Sequence, residues 1–413
     1  MNKGSVLESP TPHGEVTKTV FLYTTEDSGI DRYSQELARH LPVSVLRTKR
    51  YKLGLRGYSL VRKLSSLNKL VHFPSPHFGR YSIFGSSPFL LTVHDLERMC
   101  FPFARESVWE RVGLKLDALA IKRASHIITV SENTKHDLIK LLGVPEKKIT
   151  VIYNGVNHSI FHPNGFSPSS LRYILYVGSE RPRKNLRRLL LAFAELKKTG
   201  QFPELKLVKV GSAGRSASFR QATLKTLKEL NLEDEVIFVE GLSDQELARY
   251  YSSATMLVYP SLYEGFGLPV LEAMASGCPV ITSNVSSLPE VAGEAALFVD
   301  PCNDNDLCKA MARLLSDDFL RGQLVAKGLS QSKQFSWERS ARETIEVYRS
   351  VGESSPALAQ PKPQMYSSYK GSVACLTGRP SSAICHEQQQ TAIVGESPLR
   401  CSSKVKGQEP RVF

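Results

Sequence analysis

The chain has 413 residues, of which 41% are hydrophobic and 23% charged, and a formal net charge of +13. This is the profile of a globular chain of two or three domains. No run reaches the roughly 18–20 apolar residues of a membrane span, the first 25 residues lack an apolar signal-peptide core, and the seven cysteines offer no CxxC pair for a zinc ribbon, so a cytoplasmic protein is expected.

In chain order, residues 1–15 read as a flexible leader. Short β-branched runs then alternate with longer amphipathic ones. Strands are predicted at Thr19–Tyr23, Val43–Leu46, Leu70–Phe73, Leu90–Val93, Ile127–Val130 and Thr150–Tyr153. Helices are predicted at Asp31–Leu41 and Ser107–Arg123, with a third capped by Ser131 and running to Leu142. Repeated β-α-β-α implies a parallel sheet covered on both faces.

Between Val43 and Leu70 lie eight basic residues and no acidic one: Arg47, Lys49, Arg50, Lys52, Arg56, Arg62, Lys63 and Lys69. With its interleaved leucines and tyrosines, the stretch from Arg47 to Lys69 suits an anionic bilayer surface, which would place the protein peripherally on the inner face of the plasma membrane. A solvated face, or a field that attracts an anionic substrate, is the competing reading. No nucleic-acid reader motif accompanies it, so nucleic acid is not an expected partner.

A segment rich in Asn, Gly, Pro and Ser at 154–170 breaks the pattern, and its end, 164–170, is taken as the linker. The alternation then restarts. Strands are predicted at Tyr173–Val177, Leu205–Val210, Val236–Val239, Met256–Tyr259, Val280–Thr282 and Ala296–Val299. Helices are predicted near Lys184–Lys198, Ser218–Leu230, Ser243–Ser252, Pro269–Ser276, Asp304–Leu315 and Ser336–Arg349. The organisation expected is one Rossmann-like domain at 16–163, a second at 171–335, a last helix at 336–350 and a disordered tail at 351–413. Ligands in such doubly wound sheets bind outside the carboxyl ends of the strands.

The densest chemistry is PSLYEGFGLPVLEAMASG at 260–277. Glu264 follows a buried-type strand ended by Pro260. Gly265 and Gly267 permit a close ligand approach. Pro269 suits a first helical turn, so the amides of Phe266, Gly267 and Leu268 would face an anion at a helix N-terminus. Glu272 lies eight positions beyond Glu264. A carboxylate, a phosphate cradle and a second carboxylate match the parts of a nucleotide-sugar. YVGSERPRKN at 176–185 puts Gly178 after a strand and Arg183 and Lys184 before a helix. Cations at a helix start oppose its dipole, which points to an anionic partner.

The run SLYEGFGLPVLEAMASGCPVI carries the E-x7-E signature of the retaining glycosyltransferases of GT-B fold, glycosyltransferase family 4, and resembles them over residues 16–351. The resemblance implies that Glu264 holds the donor sugar and Glu272 the ribose hydroxyls. It makes Lys184 and an arginine, Arg183 or Arg181, the clamp on the diphosphate. It implies that His94, at the end of LLTVHDLERMCFP, reaches the donor sugar, and that Gly29 belongs to a glycine loop beside the phosphate. Asp31 stands where many relatives have a second glycine and reads as a helix N-cap. Gly241 and Leu242 would lie near the nucleobase.

No metal site and no cofactor are implied. Asp304–Asn305–Asp306 reads as helix capping, not as a metal motif. The form of the motifs is closest to the mannosyltransferase-like branch, so GDP-mannose is the first donor expected and a glycan or lipid-linked saccharide the acceptor. The alternatives are a soluble-acceptor enzyme of the starch, glycogen or sucrose synthase type, or a non-catalytic nucleotide-sugar binder.

Overall fold

The computed structural model describes residues 19–24, 29–48, 69–83, 85, 88–101, 107–164, 172–214 and 216–353. The expected leader, residues 49–68 of the basic run, residues 165–170 of the expected linker and the tail beyond Glu353 lie outside the described residues.

Among the described residues, twelve strands form two parallel six-stranded sheets. The first holds β1 (Thr19–Thr24), β2 (Ser44–Thr48), β3 (Leu70–Phe73), β4 (Phe89–Val93), β5 (His126–Thr129) and β6 (Ile149–Val151), in the order β2-β1-β3-β4-β5-β6. The second holds β7 (Tyr173–Val177), β8 (Lys206–Val210), β9 (Val236–Val239), β10 (Met256–Tyr259), β11 (Val280–Ser283) and β12 (Ala296–Val299), in the order β12-β11-β10-β7-β8-β9. The sequence pattern dictates this. All residues of β4 and β10 are buried, so helices must cover both faces.

Local chemistry sets the helix ends. Ser107 with Glu110, and Ser243 with Glu246, form reciprocal capping boxes at the starts of Val108–Arg123 and Asp244–Ser253. Gly143, at φ +65°, closes Glu132–Leu142. Two expectations need correction. The first helix begins at Gly29, so Asp31 is not its cap but a buried residue of its first turn. An additional helix, Asp318–Ser332, escaped the sequence reading because Gly322 and Gly328 interrupt its pattern. Gly328 lets this helix pack closely on Leu268–Ala275, since a Cβ at that position would lie 3.2 Å from the Met274 side chain.

The last helix, Trp337–Glu353, packs on the first half. Tyr348 Oη sits 2.7 Å from His72 Nδ1 in β3, and Ser340 Oγ donates to the Tyr153 carbonyl at 2.6 Å. A Cβ on Gly155 would overlap the Trp337 backbone, so only glycine allows this approach. One apolar core runs through both halves here, from Phe21 and Leu90 to Leu257, Phe266 and Trp337.

Candidate active site

Each sheet reverses its strand order once, and a crevice opens at such a point. In the second sheet the reversal lies between β7 and β10, which are neighbours. The segment after β7 carries Gly178, Arg183 and Lys184. The segment after β10 carries Glu264. Adjacent strand ends therefore deliver the two motifs to one place.

They meet in a buried ionic cluster. Lys184 Nζ lies 2.7 Å from Glu264 Oε1, and an Arg183 guanidinium nitrogen lies 3.0 Å from Glu264 Oε2. Tyr259 donates its hydroxyl to Glu264 at 2.9 Å and accepts from Lys184 at 2.6 Å. Burial alone would push the Glu264 carboxyl up. Lys184 and Arg183 outweigh it and hold the group at about 2, so it is ionised at neutral pH.

The backbone around the cluster is fixed. Asn185, in the left-handed region at φ 60°, donates its amide to the carbonyls of Pro260 and Pro301. Ser286 and Ser287 donate to the Glu264 carbonyl at 2.7 and 3.0 Å. Arg181 does not touch Glu264; it pairs with Glu97 at 3.2 Å.

Glu272 belongs to a second, adjoining cluster. Its side chain is buried in the helix Leu268–Ala275, and Tyr251 donates to it at 2.9 Å. Its other partner comes from the first half: Arg32 lies 2.8 Å from Glu272 and 2.7 Å from Asp244. Burial raises the Glu272 carboxyl, and Arg32 opposes that rise.

The first half presents its own switch point, between β1 and β3. Gly29 opens the helix Gly29–His40 after β1, and His94 follows β4. His94 Nε2 lies 2.9 Å from the Pro74 carbonyl, and its ring stands edge-on to Tyr33 with centroids 4.6 Å apart. A carbonyl only accepts, so Nε2 carries the proton and Nδ1 is left as an acceptor. Burial lowers the imidazole to about 4, against the Pro74 bond and the nearby Asp31 charge, so the ring is neutral at pH 7.

The halves touch at this site. A Cβ on Gly265 would overlap the His94 carbonyl oxygen. Glu97, just after His94, pairs with Arg183 at 2.9 Å. Tyr263 donates to Asp137 at 2.7 Å. Glu290 accepts the amides of Glu132 and Asn133 at 2.8 and 3.1 Å, an acid from the second half seated on a helix N-terminus of the first. Beside His94 a cavity of about 100 Å³ is walled by Ser75, Asp95, Glu97, Leu114, Asp117 and Ile121, among others.

The remaining expected residues take structural as well as exposed positions. Gly178 donates to the Val210 carbonyl at 2.9 Å, and a Cβ there would lie 3.3 Å from the Tyr176 hydroxyl. Phe266 is buried against Tyr153 and Phe335. Gly267 has φ +114° and starts the Leu268–Ala275 helix. Gly241 is exposed at φ +72°, and Leu242 packs partly on the core. The helix Asp304–Ser316 is capped by Asn303, whose side chain accepts the Asn305 and Asp306 amides, so the expected capping role falls one residue earlier; Asp306 accepts the Asp300 amide at 2.9 Å and Asp304 pairs with Arg188 at 2.8 Å.

Sequence reading missed Arg32, Asp244, Tyr251 and Glu97. Arg32 follows the glycine loop directly, which was the available signal.

Two facing doubly wound sheets with this crevice define the GT-B fold. Residues 18–160 match the family model described as Glycosyltransferase Family 4, and residues 159–331 match that described as Glycosyl transferases group 1. The chain belongs to the family 4 glycosyltransferases. It is similar to the O-antigen chain mannosyltransferase B of Escherichia coli, at 37% identity over 241 residues, 56% of this chain and 62% of that protein. The chain thus spans less than two thirds of that relative's length.

Its fold is that of the sucrose-phosphate synthase from Thermosynechococcus elongatus, at a TM-score of 0.68 and 24% identity, over 82% of this chain and 100% of that one. It is also that of Anabaena Alr3699/HepE in complex with UDP-glucose, at a TM-score of 0.68 and 17% identity, over 80% and 99% of the respective chains.

Proposed function

We propose that this glycosyltransferase moves a hexose, with retention, from a nucleoside-diphosphate donor to an acceptor hydroxyl of a growing glycan or lipid-linked saccharide, and that the donor is GDP-mannose. The observation that carries this is the convergence of Arg183 and Lys184 on Glu264 at the switch point of the second sheet. Similarity to a mannosyltransferase supports the choice of sugar.

In this reading the diphosphate takes the two cations, and the sugar hydroxyls take Glu264. Arg183 offers a planar fork of donors and Lys184 a point charge, both in a dry site where they count most. The bond from the anomeric carbon to the phosphate oxygen breaks. The acceptor oxygen bonds to that carbon on the same face, and its proton passes to the departing phosphate oxygen. Neutral His94 orients a sugar hydroxyl through Nδ1. Glu272 takes the ribose diol, with Gly29, Gly178 and the amides of Phe266, Gly267 and Leu268 lining the phosphate and Gly241 and Leu242 the base.

The basic pair supplies the charge stabilisation of the leaving group, so transfer is expected to persist in excess EDTA. Loss of activity restored by Mn²⁺ would refute metal independence. A thermal-shift panel of GDP, UDP and ADP, followed by turnover of the matching radiolabelled sugar, tests the donor. Stabilisation by UDP alone would overturn GDP-mannose. Binding without turnover in the presence of any saccharide acceptor would overturn the enzyme.

A further inference from the structure

The helix Val108–Arg123 has two faces with different work. Its inner face supplies Leu114, Asp117 and Ile121 to the cavity beside His94. Asp117 is tied there by Arg80 and His77. Its outer face leaves Val108 72%, Trp109 81%, Val112 41% and Leu119 42% exposed.

Four of the nine large apolar side chains exposed among the described residues therefore share one helix. Single exposed apolar residues need no account, but a cluster does. Arg111, Lys115, Lys122 and Arg123 are exposed on the same side. At 100° per residue, 108, 112, 115, 119 and 122 form one stripe, with 109, 111 and 123 at its margins. The two acids of the helix do not offset this charge. Glu110 is engaged in the Ser107 capping box and Asp117 is buried.

We propose that this outer face docks the protein on an anionic bilayer surface. Trp109, Val108, Val112 and Leu119 enter the headgroup boundary, and the four cations pair with lipid phosphates. An indole at the boundary flanked by Lys and Arg is the chemistry of an interfacial helix. Nucleic acid would use the cations but not the aliphatic stripe. A two-fold pairing of this face with itself would set the like charges against one another. The docked helix would bring its inner wall, and hence the His94 cavity, close to the headgroups. Docking itself does not rest on the proposed reaction.

The chain contains only two tryptophans. Trp337 is 4% exposed and Trp109 81%, so emission that responds to lipid reports this helix. The full chain is mixed with vesicles of phosphatidylcholine, or of phosphatidylcholine with phosphatidylglycerol, with and without brominated acyl chains. The expected result is a blue shift and bromine quenching with the anionic vesicles only. Trp109→Phe abolishes the quenching while vesicle sedimentation continues. Lys115→Glu with Lys122→Glu lowers vesicle affinity by at least about tenfold at low salt, with an unchanged thermal midpoint.

Binding to anionic vesicles without quenching of Trp109 would assign docking to another surface and overturn the proposal. So would failure to bind, or a blue shift that follows protein concentration without lipid, which would mark a self-interface.

Discussion

Glu264 and Glu272 are two buried carboxylates of one motif, yet they are held in different ways. Glu264 finds every charged partner within its own half: Lys184 at 2.7 Å and Arg183 at 3.0 Å. Glu272 takes its cation from the first half, through Arg32 at 2.8 Å. The contacts of Glu264 need only the second half, although Arg183 also reaches across to Glu97 at 2.9 Å. The Glu272 cluster exists only while the halves face each other. One acid belongs to the fold and the other reports closure.

The largest effects are expected from the Glu264 cluster. Lys184→Ala leaves the buried Glu264 with one cation fewer and the departing diphosphate without a point charge. Transfer is expected to fall about 10³-fold, as for loss of one preorganised charge at a transition state. Glu264→Gln keeps the shape, removes the acceptor set for sugar hydroxyls, and is expected to fall to a similar degree. Both should retain the wild-type circular dichroism. Full activity in purified Lys184→Ala would remove the clamp from the mechanism.

Next comes the seam. Gly265→Ala would drive a methyl group into the His94 carbonyl oxygen, and backbone cannot swing aside as a side chain can. The halves must separate slightly. Misplacement on this scale is expected to lower kcat/KM on the order of 10²-fold. Small-angle scattering should show a larger radius of gyration. An active, equally compact Gly265→Ala would show that the observed contact is not the reactive arrangement.

The fold was legible because its strands are short β-branched runs bounded by Gly, Pro and Asn. Every strand read from sequence is present within a few residues, from Thr19 to Val299. Glu264, Arg183 and Lys184 were legible because each sits at a strand end, where a parallel sheet collects its chemistry. Arg32 was not, although it joins Glu272 across a sequence separation of 240 residues. Its place beside the glycine loop marks Arg32 as near the site, but the pairing depends on how the two sheets face one another, which no local pattern encodes. Tyr259 and Tyr251 look like core residues in sequence and are core residues, but their hydroxyls reach the acids.

Acid should loosen the seam from the first half. His72 is fully buried between Tyr348 and Thr92, and burial lowers it to about 3. Its unfolded value is near 6.5. The unfolded chain therefore takes up the proton first, and stability present above pH 6.5 is lost as pH falls towards 3. The loss is on the order of a few kcal/mol. The thermal midpoint should fall between pH 6.5 and 4; His94, lowered to about 4, adds to the same slope, so His72→Gln should reduce the slope without removing it. Glu264, held at about 2, adds nothing to the slope above pH 4.5 or so. An unchanged slope in the variant would place the acid sensitivity elsewhere.

The smallest effect falls on the borrowed partner. Arg32 occupies the carboxylate that the ribose hydroxyls are proposed to take, so Arg32→Ala removes a competitor. Nucleoside diphosphate should bind about three- to tenfold tighter at pH 8, measured by calorimetry, while turnover falls because closure has lost a cross-half pair. The gain should depend on pH in a definite direction. Burial raises the Glu272 carboxyl and Arg32 restrains that rise. Without Arg32 the group takes up a proton at a higher pH than in the wild type, and a protonated acid accepts the diol less well. The advantage of the variant should shrink as pH falls from 8 towards 5. A variant that binds nucleotide more weakly at pH 8 would make Arg32 part of the donor site instead of its placeholder.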